Sequence, residues 1–138
     1  RQLIDQNRQP MRKTGNSASP ALLSPTGRLL LHLAPGLRQV VDLEDVFFVE
    51  AVGDDTRVRT RAARALRDVR PLKEIEPLLV PRGFLRAHRD YLVNPDRVRQ
   101  VRRRSTGEDW ELKLHPPVNR VLPVSRSALA TLWSAFGE

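Results

Sequence analysis

From Arg28 onward the apolar positions fall into short runs with period two, the spacing of half-buried strands. Leu29 to Leu33 reads as a strand stopped by Pro35-Gly36, and Leu37 to Val41 as a second. Leu43-Glu44-Asp45-Val46 then looks like a single helical turn with Asp42 as its cap. Val46 to Val52, the turn Gly53-Asp54-Asp55 and Thr56 to Arg61 make a hairpin whose second arm alternates cations with Val58 and Thr60. Further along, Phe84 to Val93, Val98 to Arg104, Trp110 to His115 and Arg120 to Val124 are strand-like. Asn94-Pro95-Asp96, Ser105-Thr106-Gly107 and Pro116-Pro117 separate them.

Two segments read as helices. Pro71 to Leu79 places Pro71 at a first helical position, with Leu72, Ile75 and Leu79 spaced at three and four, although Pro77 interrupts the donors. Ser127 to Phe136 aligns Leu129, Leu132, Trp133 and Phe136 on one stripe, a core or dimer face, with Gly137 as the stop. The expected fold is mostly β: short antiparallel strands in small sheets, one or two short helices and a C-terminal helix.

At 138 residues the chain fits one domain with a tail. Residues 1–27 carry Pro10, Pro20, Pro25, Gly15, Gly27 and many Ser, Thr and Asn without apolar periodicity. They read as a linker, or the end of an upstream sensor or receiver region, with the domain at 28–138. No apolar run approaches the ~20 residues of a bilayer span. The absence of cysteine removes disulfides and thiol chemistry and accords with a cytoplasmic location.

Charge narrows the function. Of 24 cations 21 are Arg, and the net charge is +8. The linker accounts for +3 through Arg1, Arg8, Arg12 and Lys13 against Asp5, leaving +5 on the domain. An excess of that sign attracts polyphosphate. His32, His88 and His115 lack any helical-spacing partner, so no metal is expected. The glycines form no phosphate-cradling frame, and no cofactor is implied. With 5% aromatic residues, stacking platforms for single strands are also unpromising. Duplex recognition remains, because a planar guanidinium suits both phosphate oxygens and the guanine edge. The candidates at element junctions are Arg57, Arg89 and Arg126, each of which alone reads equally as a solubilising charge. The run Arg102-Arg103-Arg104 reads as a solvated strand end.

Phe84-Leu85-Arg86-Ala87-His88-Arg89-Asp90-Tyr91-Leu92-Val93-Asn94 closely resembles the F-x-R-x-H-R-x-Y-[LI]-V-N signature of the LytTR DNA-binding domain of bacterial response regulators and other sensor-linked transcription factors. Leu43 to Glu50 is similar to that family's L-E-D-I-x-Y-I-E. Leu72 to Glu76 stands in place of its S-L-K-E-L-E, and Leu122 to Arg126 matches its L-P-V-S-R. The resemblance covers residues 28–138. It implies a non-enzymatic fold of short strands whose loops enter successive major grooves. Base contacts would fall at Thr56 or Arg57, at Arg89 and at Arg126, and backbone contacts at Lys73, Ser125 and His88, the last of which also has a structural reading.

Two departures stand out. Asp90 replaces a small polar residue, and Asp54-Asp55 bring negative charge to a loop expected near DNA. Those carboxylates have three outcomes open: repelling phosphate, accepting from cytosine N4, or folding back onto Arg57. If Phe84 to Val93 is one strand, Arg86, His88 and Asp90 share a face. Arg86 then reads as a structural partner of Glu50 or Asp90, and the exposure of Arg89 depends on a bulge or turn. The expectation is a sequence-specific output domain of a two-component regulator, binding direct repeats of double-stranded DNA as a dimer or as paired monomers. The alternative is a protein-interaction β module whose basic charge is incidental.

Overall fold

The computed structural model describes residues 24–62, 64–105 and 107–138. Ten strands and two helices follow one another along them. Strand β1 (Arg28–Ala34) turns at Pro35-Gly36, where Gly36 has φ +77°, into β2 (Leu37–Asp42). A 3-10 turn (Leu43–Asp45) leads to the hairpin of β3 (Val46–Val52) and β4 (Asp55–Thr60). Then come β5 (Leu66–Asp68), α1 (Leu72–Leu79), a 3-10 turn (Val80–Arg82), β6 (Leu85–His88) and β7 (Tyr91–Val93). A third 3-10 turn (Pro95–Arg97) precedes β8 (Val98–Arg103), β9 (Trp110–Leu114), β10 (Val121–Val124) and α2 (Arg126–Ala135).

All pairings are antiparallel. The strands form a β1-β2 ribbon, a five-stranded sheet in the order β5-β4-β3-β7-β6, and a three-stranded sheet in the order β10-β9-β8. The central strand β3 is buried on both faces, which explains its unbroken apolar run from Val46 to Val49. Val46 and Val49 join Leu29, Leu31, Leu43, Ile75 and Leu79 in a core under the ribbon and α1. Phe47 and Phe48 join Leu112, Leu114, Leu122 and Leu132 in a second core under β8 to β10 and α2.

Asn94 couples these layers. Its side-chain amide donates to the carbonyls of Val46 (2.9 Å) and Leu43 (3.3 Å), and its Oδ1 accepts the Asp96 amide at 2.9 Å. Three donors and acceptors of a 1% exposed side chain are thereby satisfied. At the N-terminal boundary Pro25 is buried and the Gly27 carbonyl accepts the Leu43 amide at 2.9 Å. Residues 1–23, most of the expected linker, lie outside the described residues.

Several expectations need correction. Phe84 to Val93 is a hairpin and not one strand: a bulge between Arg86 and His88 and a turn at Arg89-Asp90 separate β6 from β7. Strand β5 was not anticipated, because Leu66-Arg67-Asp68 has neither the length nor the β-branched residues that mark a strand. Asp42 does not cap the turn it precedes; its carboxylate takes Arg28 Nε at 3.3 Å. Pro71 sits at the N-cap position with extended geometry, and α1 begins at Leu72 and continues through Pro77. On α2 the buried residues are Ala128 and Leu132, while Phe136 is exposed, so the inward stripe is rotated from the one expected.

Candidate nucleic-acid interface

Three loops come together at one end of the five-stranded sheet. The Ala51 amide, near the end of β3, donates to the Asp90 carbonyl at 2.9 Å, which ties the β3–β4 turn to the β6–β7 turn. The Ser125 amide donates to the Ala87 carbonyl at 2.8 Å, which ties the β10–α2 junction to the same hairpin. Arg89 and Arg126 are thus delivered by neighbouring loops, with side chains 87% and 81% exposed. An open groove of about 530 Å³ runs between α1, β6 and α2, and His88, Arg89 and Ser125 are among its lining residues.

The β6–β7 turn is tight and contains no glycine, and Arg86 explains how it holds. Its Nη1 lies 2.5 Å from Glu76 Oε1 on α1. Its Nε donates to the His88 carbonyl at 2.9 Å, and its Nη2 donates to the Arg89 carbonyl. Arg86 thus ties the turn to α1, and its carboxylate partner is Glu76, neither Glu50 nor Asp90. Inside the turn His88 Nδ1 accepts the Asp90 amide at 3.2 Å, which in the neutral ring leaves the proton on Nε2. Asp90 Oδ2 lies 3.8 Å from Arg89 Nε.

Glu50 accepts the Tyr91 hydroxyl at 3.1 Å across the β3–β7 pair. Burial, with the Glu50 charge added, pushes the Tyr91 phenol above its ordinary value of 10.0. This bond adds a side-chain tie between β3 and β7.

On β4 the alternation resolves the choice between Thr56 and Arg57. Thr56 is 0% exposed, and its hydroxyl donates to the Arg70 carbonyl at 2.7 Å. A side chain so placed cannot reach a base, and Thr56 leaves the candidate set. Arg57 faces the other way, with a third of its side chain accessible. Asp55 has folded back: its Oδ2 is 2.7 Å from Arg67 Nε and 3.9 Å from Arg57 Nη1. Arg57 Nη1 and Arg59 Nε are buried without a hydrogen-bond partner in this structure.

Lys73 is exposed on α1, one helical turn before Glu76, and Ser125 occupies the N-cap of α2 with its Oγ 3.3 Å from Ser127 Oγ. Arg126 Nη2 lies 3.8 Å from Glu108 Oε1, which brings the β8–β9 loop beside the α2 junction. Of the Arg102-Arg103-Arg104 run, two members pair with Glu111, at 2.6 and 3.5 Å, and Arg103 stacks over Trp110. Among the described residues no group of His, Asp or Glu is arranged to hold a metal ion, and no helix is long and apolar enough to cross a membrane.

Sequence reading missed two partners. Glu76 was legible only as the second acid of Lys-Glu-Ile-Glu, and Glu108 sits in a turn with no pattern to mark it. A third grouping, Asp68 with Arg70 and the His32 amide, bridges residues 36 positions apart and carries no local signal.

The loops that gather here present guanidinium groups from an antiparallel β scaffold, a form suited to anionic polymers. The pattern of the LytTr DNA-binding domain matches residues 38–137. The CO-responsive transcriptional regulator RcoM of Rhodospirillum rubrum is 32% identical over 120 residues, 87% of this chain and 49% of that protein. The chain therefore spans about half the length of that regulator. Its fold resembles the solved LytTr DNA-binding domain of a protein described as a methyl-accepting/DNA response regulator from Bacillus cereus. The TM-score is 0.63 at 22% identity, over 80% of this chain and 97% of that one. The chain belongs to the LytTR family of DNA-binding domains.

Proposed function

We propose that this domain reads duplex DNA sequence-specifically through its loops, with Arg89 and Arg126 entering major grooves and contacting base edges. The observation that carries this is the coupling of the two loops by the Ser125–Ala87 backbone bond, with both guanidiniums directed to solvent. Side chains held on short, cross-braced loops lose less entropy on docking than side chains on a mobile tail. Arg57 contributes at the margin of the same surface. A third of its side chain remains accessible, which supports contact with an approaching strand there.

Lys73, His88 through Nε2–H, and Ser125 at the start of α2 are assigned to phosphate oxygens, which fix register without reading sequence. Asp55 and Asp90 lie beside Arg57 and Arg89 and oppose indiscriminate approach of phosphate. The full protein is read as a cytoplasmic regulator in which a sensor or receiver region controls this domain, in the manner of a two-component system. Two copies would occupy a direct repeat as a dimer or as paired monomers.

Selection of bound duplexes from a random pool at physiological salt tests the reading. Enrichment of a repeated motif is the expected result. An unenriched pool retained only at low salt would reduce the domain to a nonspecific cation. No salt-sensitive retention at all would favour the protein-interaction module.

A further inference from the structure

The β1-β2 ribbon plays no part in the loop surface, and most of it precedes the matched stretch at 38–137. The outer edge of β1 is engaged. The His32 amide donates to Asp68 Oδ2 at 3.0 Å, the His32 carbonyl accepts the Val69 amide at 2.9 Å, and the Leu30 carbonyl accepts Arg70 Nη2 at 3.0 Å. β2 has β1 as its one strand neighbour among the described residues.

Parity then decides which groups of β2 lie open. In an antiparallel strand the N–H and C=O of one residue point to the same side, and successive residues alternate. Leu30 and His32 point toward β5, so Leu29 and Leu31 point toward β2, opposite Val41 and Gln39. Arg38, Val40 and Asp42 consequently turn their N–H and C=O groups to the open edge. Their side chains also share one face of the ribbon.

The order Arg38, Val40, Asp42 is its own complement when a second copy runs antiparallel to it about Val40. Val40 then meets Val40, and each Arg38 meets an Asp42. The rows continue across the ribbon, because Leu30 is registered with Val40 and Arg28 with Asp42. Leu30 and Val40, 48% and 58% exposed, would become the halves of a four-residue apolar row. Each Asp42, already 3.3 Å from Arg28, would gain a second guanidinium.

We infer that β2 pairs edge to edge with β2 of a second copy, two-fold about Val40, making a continuous four-stranded ribbon. Neither Pro nor Lys, two of the devices by which strand edges avoid such contact, stands on β2, and its two charges are of opposite sign. Six residues on each side make a small interface, so the dimer is weak and reversible. A two-fold contact holds its domains in opposite senses, whereas a direct repeat needs the same sense. The pairing therefore belongs to the protein off DNA and stands independently of the base-reading proposal.

Sedimentation velocity on the whole 138-residue chain, from micromolar to near-millimolar concentration, tests it. The wild type should show reversible monomer–dimer exchange. Val40→Lys and Arg38→Asp should each weaken it about tenfold or more, since like charges then face each other across a closing edge. Arg38→Asp combined with Asp42→Arg should recover association. All three positions are exposed, and thermal melts of each variant verify that the domain still folds. A wild type that stays monomeric, or variants that associate as tightly as it does, would overturn the proposal. Failure of the double reversal to recover would overturn the Val40-centred register.

Discussion

Arg86 Nη1 and Glu76 Oε1 stand 2.5 Å apart, and through this pair helix α1 holds the turn that carries Arg89. The rest of the guanidinium is spent on the carbonyls of the turn itself. One side chain thus links the first core, by way of α1, to the most exposed cation of the loop surface.

Arg86→Ala should lower folding stability by about 1–3 kcal/mol, since it removes three charge-assisted bonds at a half-buried site. Urea titration followed by tryptophan fluorescence measures this. Glu76→Gln should cost less, because the two carbonyl bonds survive. DNA binding should fall in both variants without any change in which sequence is preferred.

Thr56→Val should destabilise the domain by about 1 kcal/mol through loss of the bond to the Arg70 carbonyl. At temperatures where it remains folded, its affinity for a selected duplex should equal that of the wild type. A specific loss of DNA affinity in a folded Thr56→Val protein would return the residue to the recognition surface.

Asp68 supplies a pH signature. Burial pushes its carboxyl up, but the Arg70 side chain and the Arg70 and His32 amides outweigh burial and hold it below its ordinary 3.8. A depressed folded-state pKa stabilises the fold above the unfolded value, and that stability is lost as pH falls through the folded value. Wild-type stability should therefore decline as pH drops below 3.8. Asp68→Asn should be less stable by about 3 kcal/mol at neutral pH and should lack this part of the decline. Denaturant midpoints measured across the acid range compare the two.

Asn94→Ala should cost about 1–3 kcal/mol, because it removes the amide's bonds to the Val46 and Leu43 carbonyls and the acceptor of the Asp96 amide. The loss should appear as a lower denaturant midpoint.

The strands and helices were legible wherever apolar residues repeated over five or more positions, as in β1, β3, β9 and α2. Three-residue β5 was not, and the β6–β7 turn was hidden because no glycine or Asn-Gly pair marks it; Arg86 does that work from a distance. Arg89 and Arg126 could be singled out by their junction positions and by family resemblance. What separated Thr56 from Arg57 was the facing of β4, which a one-residue shift of register would reverse. The partners Glu76 and Glu108 depend on contacts between elements far apart along the chain, and composition carries no trace of those.

The most direct measurement is the affinity of Arg89→Ala and Arg126→Ala for a selected duplex and for random duplex, at several salt concentrations. Both side chains are largely exposed, so folding should be untouched. If they read bases, each variant should lose about 1–3 kcal/mol on the selected site and much less on random DNA, with little change in salt slope. Equal losses on both duplexes with a shallower salt slope would make them phosphate contacts and contradict the account.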